Sequence, residues 1–171
     1  GRLIARLLKQ SQFARVVGVD VSHTMLERAA QRLHIDEMSD RQRARVDLVH
    51  GSLAYRDRRL EGFDAAAAVE VIEHLDPARL PAFEKALFAA ARPKVVVITT
   101  PNAEYNARFT DLPPGAMRHA DHRFEWTRAE FTVWAQAVAE RHGYAVEFRP
   151  IGAVDEALGA PTQMGVFRRC P

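Results

Sequence analysis

The sequence predicts an α/β fold in which helices cover both faces of an open, mostly parallel sheet. Runs of β-branched residues alternate with segments whose apolar residues recur at helical spacing, as is typical of such folds. The run KVVVITT at 94–100 has no polar alternation, which indicates a parallel strand buried on both faces. Two final strands follow each other without a helix and predict an antiparallel edge pair. With 171 residues, 47% of them hydrophobic, the chain fits one domain, 1–171.

The individual elements follow from local patterns. Ser22 is a capping residue before an apolar helical stripe, Asp76 and Pro77 open another helix, and Thr127 with Glu130 forms a capping box. We expect helices at 2–9 and after each of these caps, and strands at 15–21, 46–50, 63–70, 94–100, 144–151 and 162–168. In the helix after Asp76 the spacing predicts four inward-facing residues, Leu80, Phe83, Leu87 and Ala90.

Composition limits the possible functions. The single cysteine, Cys170, excludes an internal disulfide and a cysteine-based metal site. No run of about 18 apolar residues and no secretory signal is present, so we expect no membrane span and a cytoplasmic location. The formal net charge is +2, and nearly all the basic residues are Arg, whose planar guanidinium suits phosphate. A nucleic-acid partner is therefore permitted but not demonstrated.

Residues at the ends of the first two predicted strands are candidates for nucleoside binding. Asp20 ends the first strand, where an acidic residue can accept hydrogen bonds from ribose hydroxyls. The alternative is that Asp20 only begins the turn before Ser22. Gly51, Ser52 and Leu53 follow the next strand, where the adenine of a cofactor would lie.

Glu70, Glu73 and His74 follow the third predicted strand with the spacing i, i+3 and i+4. In a helical turn this spacing projects two carboxylates and an imidazole to one side, and both groups are metal ligands. The alternative is a solvated acidic turn.

A second cluster, RHADHRFEW at 118–126, follows the 94–100 strand and should lie on the same edge of the sheet. A fourth ligand from His119 or His122 would give two carboxylates and two imidazoles, a set that suits Mn²⁺, Fe²⁺, Co²⁺ or Zn²⁺ better than Mg²⁺. The spacing does not choose between the two histidines. The alternative is a loop that contacts phosphate and binds no metal.

These motifs together resemble one family along nearly the whole chain. The segments GVDVS, VEVIEHLDP, TTPNAEYN, RHADHRFEWTRAEF and PTQMGVF are similar to those of the Hen-type (HUA ENHANCER) RNA 3′-terminal 2′-O-methyltransferases and their bacterial RNA-repair relatives. The resemblance implies a Rossmann-like class I methyltransferase fold, S-adenosylmethionine as cofactor, one divalent cation (Mn²⁺ or Mg²⁺) and the 3′ end of RNA as partner. It also implies a possible kinase-phosphatase or ligase partner in RNA repair.

The resemblance assigns roles to individual residues. It makes His122 the fourth metal ligand and His119 a substrate contact or helper base. The remaining roles are metal binding by Glu70, Glu73 and His74, ribose binding by Asp20, the adenine neighbourhood at Ser52 and Leu53, and the last glycine of a cofactor-binding turn at Gly1. Arg118, Arg123 and Arg128 flank the proposed ligand and are candidates for contacts with RNA phosphates.

The sequence departs from the family pattern at one point. It apparently lacks the first strand and the Gly-rich turn, so we expect residues 1–171 alone to bind the cofactor poorly. Two alternatives therefore stay open: a methyltransferase that acts on a small metabolite, and a non-catalytic module that binds RNA ends.

Overall fold

A computed structural model describes residues 1–113 and 115–171 of the chain. The strands in this part are β1 (Val16–Asp20), β2 (Val46–His50), β3 (Ala65–Val69), β4 (Val95–Pro101), β5 (Tyr144–Ile151) and β6 (Thr162–Arg169). The helices are α1 (Arg2–Leu8), α2 (His23–Leu33), α3 (Asp40–Arg43), α4 (Leu80–Glu84) and α5 (Arg128–His142), with a π-helical continuation of α4 at Lys85–Ala91.

The strands form two hydrogen-bonded groups. β1 pairs with β2 in parallel, and a second sheet has the order β3-β4-β6-β5. β3 and β4 are parallel, whereas β6 runs antiparallel to both β4 and β5. The predicted α/β fold with parallel strands and an antiparallel edge is therefore confirmed. The last strand of the chain, β6, lies inside the sheet, and β5 forms the edge.

The predicted helix starts at Ser22 and Thr127 are confirmed. The Ser22 side chain accepts a hydrogen bond from the amide of Met25, and Thr127 and Glu130 form both halves of the capping box. The start at Asp76 differs, because the chain first makes a 3₁₀ turn at Pro77–Arg79 and becomes α-helical only at Leu80.

The main core packs helices α4 and α5 against β4 and β6. Its largest fully buried side chains are aromatic: Phe83, Phe88, Phe131 and Phe167. Leu80 and Phe83 are buried as predicted, but Leu87 and Ala90 are only half-buried. The π-helical winding of Lys85–Ala91 has more residues per turn than an α-helix, so Phe88 faces the core instead.

The parallel pairing of β3 with β4 brings their carboxyl ends together, with Val69 opposite Thr99. Ligands of open α/β sheets bind at this edge. Within residues 1–113 and 115–171, every helix is too short or too polar to cross a membrane.

Candidate functional site

The turn after β3 begins with an unusual backbone conformation at Glu70. This residue has a φ of +52°, in the left-handed region that a side chain other than glycine rarely adopts. Its amide donates to the backbone oxygen and to the hydroxyl of Thr99, both at 3.1 Å. The 3₁₀ turn Ile72–His74 follows and lies against β4. Backbone strain of this kind concentrates at functional sites.

Three of the predicted ligands converge at this edge. Donor atoms of Glu73, His74 and His122 all lie within 4.8 Å of one another. The rings of His74 and His122 meet edge to face, with their centroids 4.8 Å apart. The amide of Arg123 donates to the backbone oxygen of Glu73 at 2.7 Å, which fixes the second loop against the turn.

Glu73 is fully buried, and only one of its two carboxylate oxygens has a hydrogen-bond partner among the described residues. Its Oε2 accepts a hydrogen bond from the Thr100 hydroxyl at 3.0 Å, whereas Oε1 has no partner among the described residues. Burial raises the pKa of Glu73 to about 7, and the nearby carboxylates of Glu70 and Glu125 act in the same direction. A buried carboxylate oxygen without a donor, beside two imidazoles, is suited to a cation.

Glu125 orients His122, a contact that the sequence analysis missed. Its Oε1 lies 2.6 Å from Nδ1 of His122 and also accepts from the Arg118 amide, and its Oε2 accepts from the Asn106 side chain at 2.6 Å. Burial alone would raise the pKa of Glu125, but the hydrogen bonds from Asn106 and His122 outweigh burial and lower it. The i, i+3 spacing of His122 and Glu125 was the available signal.

Two other predicted residues lie close to the cluster without joining it. The Glu70 carboxylate accepts a hydrogen bond from the Thr99 hydroxyl at 2.9 Å and is not among the three converging side chains. His119 is exposed, with its ring centroid 5.6 Å from that of His122 and 6.1 Å from that of His74.

The predicted cofactor residues occupy two places. Asp20 and Gly1 line a cavity of about 300 Å³ between α1, α2 and β1. The Asp20 side chain accepts from the Ser22 amide at 2.8 Å, which is the turn contact considered as the alternative. Ser52 accepts from the amide of Ala54, and Leu53 packs against the main core.

The three predicted RNA-binding arginines differ in environment. Arg118 is half-buried, and its guanidinium donates to the side chain of Asn106 and to the backbone oxygens of Asn102 and Pro161. Burial lowers the pKa of Arg118. The Arg123 side chain is exposed, so its guanidinium is accessible. Its Nε lies 3.7 Å from Oδ1 of Asp76.

Arg128 is also exposed, but its contacts hold neighbouring loops. It pairs with Glu104 and donates to the backbone oxygen of Ala157.

Comparison with known proteins identifies the family. A family model described as a methyltransferase domain matches residues 1–97. The solved methyltransferase domain of bacterial CtHen1 is 53% identical, with 100% of this chain and 85% of that chain covered and a TM-score of 0.90. This chain belongs to the Hen1 methyltransferase domain family. The predicted resemblance and the Rossmann-like class I methyltransferase fold are thus confirmed.

Longer relatives are also similar to the chain. The small RNA 2′-O-methyltransferase of Rattus norvegicus is 43% identical over 161 residues, which are 90% of this chain and 40% of that protein. The structure of the small RNA methyltransferase HEN1 is 34% identical, with 99% of this chain and 22% of that chain covered and a TM-score of 0.86. The chain therefore spans less than half the length of these relatives.

Proposed function

We propose that this Hen1-family domain, within its full-length protein, transfers a methyl group from S-adenosylmethionine to the 2′-hydroxyl of the 3′-terminal nucleotide of RNA, with one divalent cation. The names of the relatives support the reaction and the acceptor. The observation that carries the proposal is the convergence of Glu73, His74 and His122 at the carboxyl end of the sheet.

The residues at the site fit a divalent cation. Glu73 offers a buried oxygen that has no hydrogen-bond partner in the described part of the chain, and two histidines offer ring nitrogens beside it. Glu70 is the proposed fourth ligand. Mixed carboxylate and imidazole ligands favour Mn²⁺ over Mg²⁺. A cation held there would lower the pKa of a ribose hydroxyl that coordinates it, and so make the hydroxyl a better nucleophile.

The protein's own contribution is mainly to position the reactants. Thr100 fixes the Glu73 carboxylate, and Glu125 fixes the His122 ring. His119, which is exposed beside the cluster, is proposed to contact the terminal nucleotide or to accept a proton.

Proposed cofactor contacts lie at the other predicted strand ends. Asp20 is the proposed ribose ligand in the cavity that Gly1 also lines, and Ser52 and Leu53 are proposed for the adenine. Arg123 and Arg128 are the exposed candidates for RNA phosphates, and Arg118 is the half-buried one.

Methyl transfer by the full-length protein tests the function. RNA oligonucleotides with a free 3′ end are incubated with labelled S-adenosylmethionine and Mn²⁺, and the product is treated with periodate, which cleaves only an unmodified terminal 2′,3′-diol. We expect label in the RNA and resistance to periodate, and loss of both with a chelator. Matched controls are circular RNA and RNA that already carries a terminal 2′-O-methyl group. Labelling of the circular RNA, or of metabolites alone, would contradict the proposal.

A further inference from the structure

The contact between Glu125 and His122 determines which ring nitrogen faces the cluster. Glu125 Oε1 lies 2.6 Å from Nδ1, and an ionised carboxylate can only accept a hydrogen bond. Nδ1 must therefore carry the proton in this contact. In the neutral ring the free lone pair is then on Nε2, which is the nitrogen left for the cluster with Glu73 and His74.

Glu125 is itself held in place. Its side chain is only 2% exposed. The Arg118 amide donates to Oε1 at 2.7 Å, and the Asn106 side chain donates to Oε2 at 2.6 Å. The Asn106 amide cannot simply rotate, because its oxygen accepts from the Arg118 guanidinium. The carboxylate thus has a fixed orientation.

The partners of Glu125 require a carboxylate at this position. The backbone amide of Arg118 and the side-chain NH₂ of Asn106 can only donate, and each faces a different oxygen of Glu125. A glutamine would place its own NH₂ group against one of these donors, and the displaced contact would leave a buried polar group unsatisfied.

We propose that Glu125 is a positioning residue that presents His122 Nε2 to the divalent cation by fixing the orientation and the tautomer of the ring. This inference rests on the proposed function, because it assumes that His122 is a ligand. Carboxylates that accept from the distal nitrogen of a metal-binding histidine commonly strengthen metal binding about 10- to 100-fold.

The test compares Glu125→Gln with the wild type in the full-length protein. We expect the Mn²⁺ affinity, measured by electron paramagnetic resonance of free Mn²⁺, to fall about 10- to 100-fold. The Mn²⁺ concentration needed for half-maximal methyl transfer should rise by the same factor, while the KM for S-adenosylmethionine stays the same. Glu130→Gln is the matched control, because glutamine also serves in the capping box and Glu130 has no contact with the cluster.

A second measurement needs no metal. Ring ¹⁵N spectra of the metal-free protein should show His122 protonated on Nδ1 in the wild type and a mixture of tautomers in Glu125→Gln. Unchanged Mn²⁺ affinity in a folded Glu125→Gln protein, with or without lower stability, would overturn the inference and leave the proposed function intact. Failure of the wild type to bind Mn²⁺ would overturn both.

Discussion

Thr100 and Glu73 form a buried hydrogen bond that joins the carboxyl end of β4 to the turn after β3. The hydroxyl donates to Oε2 at 3.0 Å, and the preceding residue, Thr99, donates to the Glu70 carboxylate at 2.9 Å. Two successive threonines of one strand therefore orient the two carboxylates of the proposed metal site. β4 is hydrogen-bonded to β3 on one side and to β6 on the other. The sheet, and not the turn alone, therefore sets the orientation of the two carboxylates.

We predict that Glu73→Gln abolishes metal binding without unfolding the protein. Glutamine can still accept from Thr100, but it lacks the charge that binds a cation. Methyl transfer should fall by orders of magnitude, as it should in Glu73→Ala, while the free energy of unfolding in the presence of a chelator stays the same or rises because no charge is buried. Mn²⁺ titration, steady-state kinetics and urea unfolding measure these effects. Near-normal activity of Glu73→Gln would show that Glu73 is not a ligand.

The pH dependence of the free energy of unfolding should also reveal the protonation of Glu73. Its pKa is raised by burial from the ordinary 4.5 to about 7, so the native state binds this proton more tightly than the unfolded state. The resulting stabilisation is fully present below about pH 4.5 and is lost as the pH rises through about 7, with an expected size of about 3 kcal/mol.

Urea unfolding of the metal-free protein at a series of pH values tests this prediction. The free energy of unfolding of the wild type should fall more steeply between about pH 5 and pH 8 than that of Glu73→Gln. Mn²⁺ affinity should change in the opposite direction, because the proton and the cation compete for one carboxylate. Parallel stability profiles for the two proteins would contradict the raised pKa.

The arginines near the site should separate into structural and RNA-binding groups. Arg118→Ala removes hydrogen bonds to two backbone oxygens and to Asn106, and should lower the free energy of unfolding by about 2 kcal/mol or more. Arg123→Ala should leave the free energy of unfolding nearly unchanged and weaken RNA binding. The salt dependence of RNA affinity should decrease by the amount that corresponds to about one phosphate contact. Unfolding curves and RNA titrations at several salt concentrations distinguish these outcomes. Equal RNA affinity of Arg123→Ala and the wild type would remove Arg123 from the interface.

Local patterns were sufficient to predict most of the secondary structure. The β-branched run at 94–100 and the capping box at Thr127 depend on neighbouring residues only, and both are confirmed within a residue. The π-helical segment has no such local signal, and its buried Phe88 packs against Phe167 and Tyr144 from distant parts of the chain. The position of β6 between β4 and β5 likewise depends on pairing between distant segments.

The chemistry of the site was predictable to a similar degree. Residue types and spacing indicated Glu73 and His74, and the family resemblance selected His122 over His119, before the convergence of the three was visible. The structural contacts of Arg118 were not predictable, because its acceptor at Pro161 lies 43 residues away in the sequence. The left-handed conformation of Glu70 also has no local signal, since a glycine would be the usual residue at such a φ.

The last prediction concerns recognition of the RNA end. Only a terminal nucleotide presents vicinal 2′- and 3′-hydroxyls, and the four proposed protein ligands would leave about two positions on a six-coordinate cation. Replacing the acceptor's terminal 3′-OH by 3′-H or 3′-phosphate should therefore reduce methyl transfer by orders of magnitude, although the reacting 2′-OH remains, because the orientation of that oxygen is lost.

The measurement uses the full-length protein with matched RNAs that differ only at the terminal 3′ position, and labelled cofactor in the presence of Mn²⁺. RNA affinity is measured in parallel, so that weaker binding is separated from slower transfer at saturating RNA. We expect the 3′-H acceptor to bind with only a modest loss of affinity, because its phosphate contacts are intact. It should nevertheless react slowly. Comparable rates for the 3′-OH and 3′-H acceptors would mean that the site holds the 2′-hydroxyl alone, and end recognition would then have to come from the shape of the loop at 118–126.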